Sequence, residues 1–399
     1  MQAPQEREEC SVLLFAVRSC VTNAQAEKDK SMIPRLATIA ITTLWSLLSL
    51  SVPASALDSS QGRLHVQKMV DGLEGPWGFT FLLGGDLLVT ERRGQLWFVT
   101  DGRKAPVSGA PEVDDVGQGG LLDVRAAHDF ADSRTVYFTF AKAQGRGAGT
   151  AVARARLSED NKSLNDLTVI FEATKGARGG QHFGSRLVEA QDGSLYVSLG
   201  ERGDRQSAQD LSREQGSIIR ILPDGGIPAD NPFVATAQAR PAVWSYGHRN
   251  PQGLAMDAEG RIWAVEHGAK GGDEVNLIQK GANYGWPVIS YGEHYSGRKI
   301  GEGTSKPGME QPAWYWDPSI APSGMLIYSG KLWPEWRGDI FVGSLKFDFI
   351  SRLSGTPLQE SERLKSPETG RVRDLREGPD GAIWFASENE GALFRITPE

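Results

Sequence analysis

One hairpin unit recurs along this chain, and it restricts the fold more than any other feature. An apolar strand runs into an Asp-Gly or similar turn and returns as an alternating strand rich in Tyr, Trp, Val and Ile. Residues 187–197, 254–265 and 376–386 are clear copies, turning at Asp192-Gly193, Glu259-Gly260 and Asp380-Gly381. Looser copies occupy residues 79–91, 121–140 and 325–343. Glycine in the turn of each clear copy supplies the positive φ that a tight hairpin needs. Six such hairpins, about 40 to 80 residues apart, are the pattern of propeller blades with inserted loops. Helical periodicity between strands, which a parallel α/β sheet requires, is missing. The expected fold is therefore all-β, a six-bladed β-propeller with long loops over the mouth of its central channel; a pair of β-sandwiches is the alternative. Residues 200–230, polar and rich in Arg and Asp, and residues 282–323, dense in Gly, Tyr, Trp and Pro, are expected to be those loops.

The net charge of −7 argues against a nucleic-acid binder, which needs a basic face to neutralise phosphates. Near the N-terminus, Lys28, Lys30 and Arg35 precede an apolar run over residues 36–50, followed by Ala54-Ser55-Ala56. A positive stretch, an apolar stretch and an A-x-A cut site, in that order, predict a secretory signal that starts at Met1 or Met32. Residues 1–56 are expected to be extension and signal, and residues 57–399 one catalytic domain with a periplasmic or secreted location and no membrane span after cleavage. Both cysteines, Cys10 and Cys20, lie ahead of the cut. The mature chain would then have neither disulfides nor thiolate metal ligands, so any metal must be held by oxygen or imidazole.

Three groups of residues could carry chemistry. Among six histidines, His182 follows a glycine pair and precedes a predicted strand, so its backbone can pass close to a ligand. A second group is cationic: Arg249 beside Asn250, Lys346, and Arg371 with Arg373. Two arginines two residues apart on a strand share a face, and they repel unless an anion lies between them. The third is rich in oxygen: Asp273-Glu274, with the segment 281–287 that contains Tyr284, suits a hard cation but lacks the spacing of an EF-hand loop.

These segments resemble the soluble pyrroloquinoline-quinone-dependent glucose and aldose sugar dehydrogenases. The carriers are Gly117-Gln118-Gly119-Gly120-Leu121-Leu122, Gly180-Gln181-His182-Phe183-Gly184-Ser185-Arg186, Gly247-His248-Arg249-Asn250-Pro251-Gln252-Gly253, Asp273-Glu274-Val275-Asn276, Asn283-Tyr284-Gly285-Trp286-Pro287 and Arg371-Val372-Arg373-Asp374. The resemblance runs from about residue 73 to residue 396, and it too implies a six-bladed propeller. It implies that His182 is the general base toward the sugar hydroxyl and that Arg249 and Asn250 lie beside the quinone carbonyls. Gln118 would sit at the reacting face, and Lys346, Arg371 and Arg373 would clamp the cofactor carboxylates. The backbone carbonyls of Gly268 and Ala269 would hold the cofactor's calcium, with Asp273, Glu274 and Tyr284 at a second, structural calcium. Two departures stand out: Gln181 replaces an acidic residue ahead of the base, and Ala269 replaces a proline. The broad-specificity aldose branch is the nearer match.

Elementary chemistry runs the same way. A neutral imidazole titrates in the right range to take the proton of the anomeric hydroxyl. No side chain accepts a hydride, so an organic cofactor must. No G-x-G-x-x-G motif follows a strand here, which leaves nicotinamide and flavin without support. Expected partners are calcium, the quinone, an aldose and an external electron acceptor, for a monomer or homodimer. The rival readings are a calcium-dependent lactonase on the same fold and a non-catalytic binding propeller.

Overall fold

The structure is a computed structural model that describes residues 55–174 and 176–399. The apolar run 36–50 and both cysteines lie outside the described residues.

Six antiparallel sheets make up the fold, five of four strands and one of five. Each sheet is a blade of the propeller, and its innermost strand packs against the innermost strands of its neighbours. These inner strands are Pro76–Phe81, Leu121–Ala126, Leu187–Glu189, Pro251–Met256, Pro322–Ile327 and Val372–Glu377, numbered here as blades 1 to 6. Every expected hairpin is the inner strand of a blade and the strand that follows it. Residues 187–197, for example, fall in Leu187–Glu189 and Leu195–Leu199, with Leu187 opposite Val197. The apolar side chains of these hairpins form the clusters between blades, such as Leu88, Leu121, Val124 and Phe138 between blades 1 and 2.

Blade 6 closes the ring. Its order runs from Val372–Glu377 through Ile383–Ser387 and Ala392–Pro398 to Gly62–Val70 and Ser55–Ser59, so the N-terminal strands complete the C-terminal sheet. Leu57 and Leu64 are fully buried in that seam. The expected cut after Ala56 falls inside Ser55–Ser59 and would leave Leu57 in the mature chain.

Neither expected loop is loop throughout. The segment 200–230 contains Ser217–Ile221, the third strand of blade 3. The segment 282–323 contains Trp314–Trp316, the outer strand of blade 4, and the start of Pro322–Ile327. Both strands are short and lie in polar or turn-rich surroundings that hide their alternation.

Candidate active site

The beginnings of the inner strands gather at one end of the channel. There, Trp77, Gln118, Asn250, Gln252, Arg371 and Arg373 line a cleft of about 430 Å³. It continues into a wider cleft of about 930 Å³, and His267 and Ala321 border both. The wider cleft is walled by Tyr291, Tyr295 and other residues of the 282–323 segment, and Lys346 and Ala269 reach it too.

His182 stands in the left-handed region, at φ 56°, in the turn that leads into blade 3, beside Phe183 and Gly184, which line the smaller cleft. That turn is pinned by close packing: a Cβ on Gly200 would lie 2.1 Å from the His182 carbonyl oxygen, so only glycine fits there. The His182 N–H donates to Gln118 Oε1 at 2.7 Å, and the Gln118 N–H donates to the Gly180 carbonyl at 2.6 Å. His182 Nδ1 is hydrogen-bonded to Oε1 of Glu201, which is 1% exposed. Nε2 has no hydrogen-bond partner among the described residues. Burial, reinforced by the Arg249 charge and opposed by the bond to Glu201, holds the imidazole's pKa below its ordinary 6.5. The ring is therefore neutral at neutral pH.

Arg249 lies buried against the Trp286 ring, 5.3 Å from its centroid. Its Nη1 donates to the His267 carbonyl at 3.3 Å, while Nε is buried without a partner. Asn250 Oδ1 accepts from the Gly184 N–H at 3.1 Å, tying blade 4 to the turn that carries His182.

The anion between Arg371 and Arg373 belongs to the chain itself. Glu388 accepts from Arg371 Nε at 2.9 Å and from Arg373 Nε at 2.5 Å. The pair alone therefore does not require an external anion. Each arginine still keeps an Nη2 with no hydrogen bond among the described residues; the Nη1 atoms go to the Leu345 carbonyl and to Gln252 Oε1. Lys346 is exposed, forms no ion pair among the described residues and sits over Phe347.

The oxygen-rich group divides in two. Asp273 Oδ1 accepts from the Gly268 N–H at 2.9 Å, and Oδ2 accepts from Ser319 Oγ and the Ala321 N–H, so this carboxylate pins a loop. Glu274, the next residue on the strand, faces the other way and joins Glu266, Gly268 and Tyr284 around a small cavity. Burial, with the Glu266 charge next, pushes the Glu274 carboxyl up to about 8. The Tyr284 hydroxyl is committed, donating to the Leu277 carbonyl at 2.6 Å and accepting from the Gln279 N–H at 2.8 Å. No cluster of three or more His, Cys, Asp or Glu side chains suited to a metal occurs among the described residues. Backbone oxygens do crowd the turn after His267: a Cβ on Gly268 would lie 2.2 and 2.3 Å from the carbonyl oxygens of Gly271 and Gly272.

Sequence reasoning missed Glu201, Glu388 and His267. His267 hydrogen-bonds the Pro322 carbonyl through Nε2 at 2.6 Å, and burial drives its pKa down to about 3. His248, by contrast, is fully buried between Glu266 and Ser245 and stacks on Tyr284, which is a structural role.

The Glucose / Sorbosone dehydrogenase family model matches residues 73–395. Aldose sugar dehydrogenase YliI of Escherichia coli (strain K12) is 41% identical over 362 residues, covering 88% of this chain and 98% of the relative. The apo-form crystal structure of the soluble aldose sugar dehydrogenase from Escherichia coli covers 84% of this chain and all of its own, at 40% identity and a TM-score of 0.81. The PQQ-bound form of the aldose sugar dehydrogenase from Streptomyces coelicolor covers 84% of this chain and 98% of its own, at 28% identity and a TM-score of 0.70. With matches of this extent, laid over a six-bladed propeller whose channel mouth is built from the matching motifs, the chain belongs to the glucose/sorbosone dehydrogenase family of sugar oxidoreductases.

Proposed function

We propose that this chain is an exported quinoprotein that oxidises the anomeric carbon of aldoses to lactones with calcium-bound pyrroloquinoline quinone. The observation that carries the reading is the neutral His182, held by Glu201 and by the cleft residue Gln118, with Arg249 close by. The Nδ1–H of His182 points at the Glu201 carboxylate, which leaves Nε2 as the ring's free acceptor. That atom takes the proton of the anomeric hydroxyl, and Glu201 stabilises the imidazolium that results. Arg249, desolvated against Trp286, faces negative charge that develops at the reacting centre. When bound, the quinone supplies the two-electron acceptor that no side chain offers.

The residues fit such a group. Lys346 and the free Nη2 atoms of Arg371 and Arg373 suit its carboxylates. Gln118 and Asn250 suit its reacting face. The turn at Gly268 and Ala269 suits a calcium ion, and Glu274 with the main chain at Tyr284 suits a second one; the committed oxygens of Asp273 make it a support for the first site. The PQQ-bound relative supports the quinone, and family membership sets the lactonase and the binding propeller aside.

The test is reconstitution. Chelator-treated protein should gain dye-linked oxidation of an aldose panel only when both calcium and the quinone are added. Full oxidation with neither present would refute the proposal.

A further inference from the structure

The last residues of the inner strands meet at the opposite end of the channel, where they line a separate cavity of about 520 Å³. Its walls include Phe81, Leu254, Met256 and Met325, and Arg125 lies among them. Behind it the channel is filled by charged side chains. Arg186 bonds to Asp374 at 2.8 Å, and Arg376 bonds to Asp123 at 2.7 Å and to Asp374 at 3.1 Å. Two guanidiniums are thereby matched by two carboxylates, all four side chains being buried.

Arg125 is a third, partly buried cation in this space, on which Asp123, Asp374 and Glu189 act only through space. It makes no side-chain hydrogen bond or ion pair among the described residues, and its Nε is buried without a partner. The carboxylates around the cavity form their hydrogen bonds elsewhere. Glu189 accepts from the His128 N–H at 2.7 Å, and Glu377 accepts from the Ser329 N–H and hydroxyl. A partly desolvated guanidinium with no hydrogen-bonded counter-ion is costly, and an anion in the cavity would relieve that cost. Burial and the neighbouring Arg376 already press its pKa down to about 10.

We propose that this end of the channel binds a small organic carboxylate with an apolar tail. The carboxylate pairs with the fork of Arg125, and the tail lies along the methionine- and leucine-rich wall, where unbranched thioethers adapt to varied shapes. The site is separated from the sugar cleft by the buried ion cluster, so it stands or falls independently of the reaction proposed above.

The test is calorimetric titration of the whole protein with hexanoate, with acetate and hexanol as comparisons. Hexanoate should bind, and the other two should bind about tenfold or more weakly, because each lacks one half of the recognition. Arg125→Met, similar in length but uncharged, should weaken hexanoate binding by a similar factor and leave Tm unchanged or higher, since no protein partner is lost. Met256→Glu, which supplies a carboxylate from the wall, should exclude hexanoate as well. Aldose oxidation should be unaffected by Arg125→Met. No hexanoate binding, equal binding of hexanol, unchanged binding in Arg125→Met or a marked fall in its Tm would each overturn the proposal.

Discussion

At His182 one ring nitrogen is fixed by Glu201 and the other is left free, and two predictions follow from that division. His182→Gln keeps polarity and approximate size while removing the base. Its turnover should fall about 10²- to 10⁴-fold with quinone binding retained, in stopped-flow and binding assays, whereas His248→Gln should act mainly on stability. Glu201→Gln should lower kcat and also move the pH profile. The His182 pKa lies below 6.5 in the folded protein, so the acid limb of kcat/KM should lie below pH 6.5. Glu201 opposes that depression, so its loss should shift the limb to still lower pH. An acid limb that stays in place or rises in Glu201→Gln would show that Glu201 does not govern the base.

Among structural elements, the hairpin register explains how Glu201 and Glu388 reach their partners. Leu187 faces Val197 and Val188 faces Tyr196, so continuing backward places residue 183 opposite 201. Likewise Val372 faces Ser387, and one step further brings Glu388 to Arg371, where the Glu388 N–H donates to the Arg371 carbonyl at 3.1 Å. Glu266 faces Pro251 in blade 4 in the same way and serves His248 and the Arg249 N–H. All three carboxylates were therefore within reach of a reading that extended its hairpins by a few residues. The six hairpins themselves were legible because their apolar alternation is strong. Strands such as Ser217–Ile221 and Trp314–Trp316 were not, because three to five residues among polar neighbours carry no period.

The strand pair Asp273–Ile278 and Ile262–Glu266 supplies a test of the second calcium. Glu274 titrates near 8 in the folded chain and near 4.5 when unfolded, so the folded state binds more protons between those values. Its contribution to stability therefore falls as pH rises through that window. In chelator, Glu274→Gln should remove that part of the decline in Tm toward pH 8. Calcium, which needs the ionised carboxylate, should raise the Tm of the parent at pH 8 by more than that of the variant. Equal increments in both would place the ion elsewhere.

For the whole molecule, stability depends on closing the ring. The pairing of Leu64 with Pro398 and Val66 with Ile396 joins segments more than 300 residues apart, and no local sequence signal announces it. Leu64→Ala should cost about 2–5 kcal/mol in denaturant unfolding, the usual loss for a buried leucine. N-terminal sequencing of exported protein should find Leu57 first, which leaves this seam its own buried leucine. A mature chain that still carried residues 36–50 would contradict the signal assignment.

The most direct test of the central claim follows a single turnover at the channel mouth. The protein is loaded with calcium and pyrroloquinoline quinone, mixed with aldose in the absence of any external acceptor, and followed by the absorbance of the bound quinone. The parent should show rapid, stoichiometric reduction, and His182→Gln, equally loaded, should slow it about 10²-fold or more. Reduction at the parental rate in His182→Gln, or no aldose-dependent change in the loaded parent, would contradict the account.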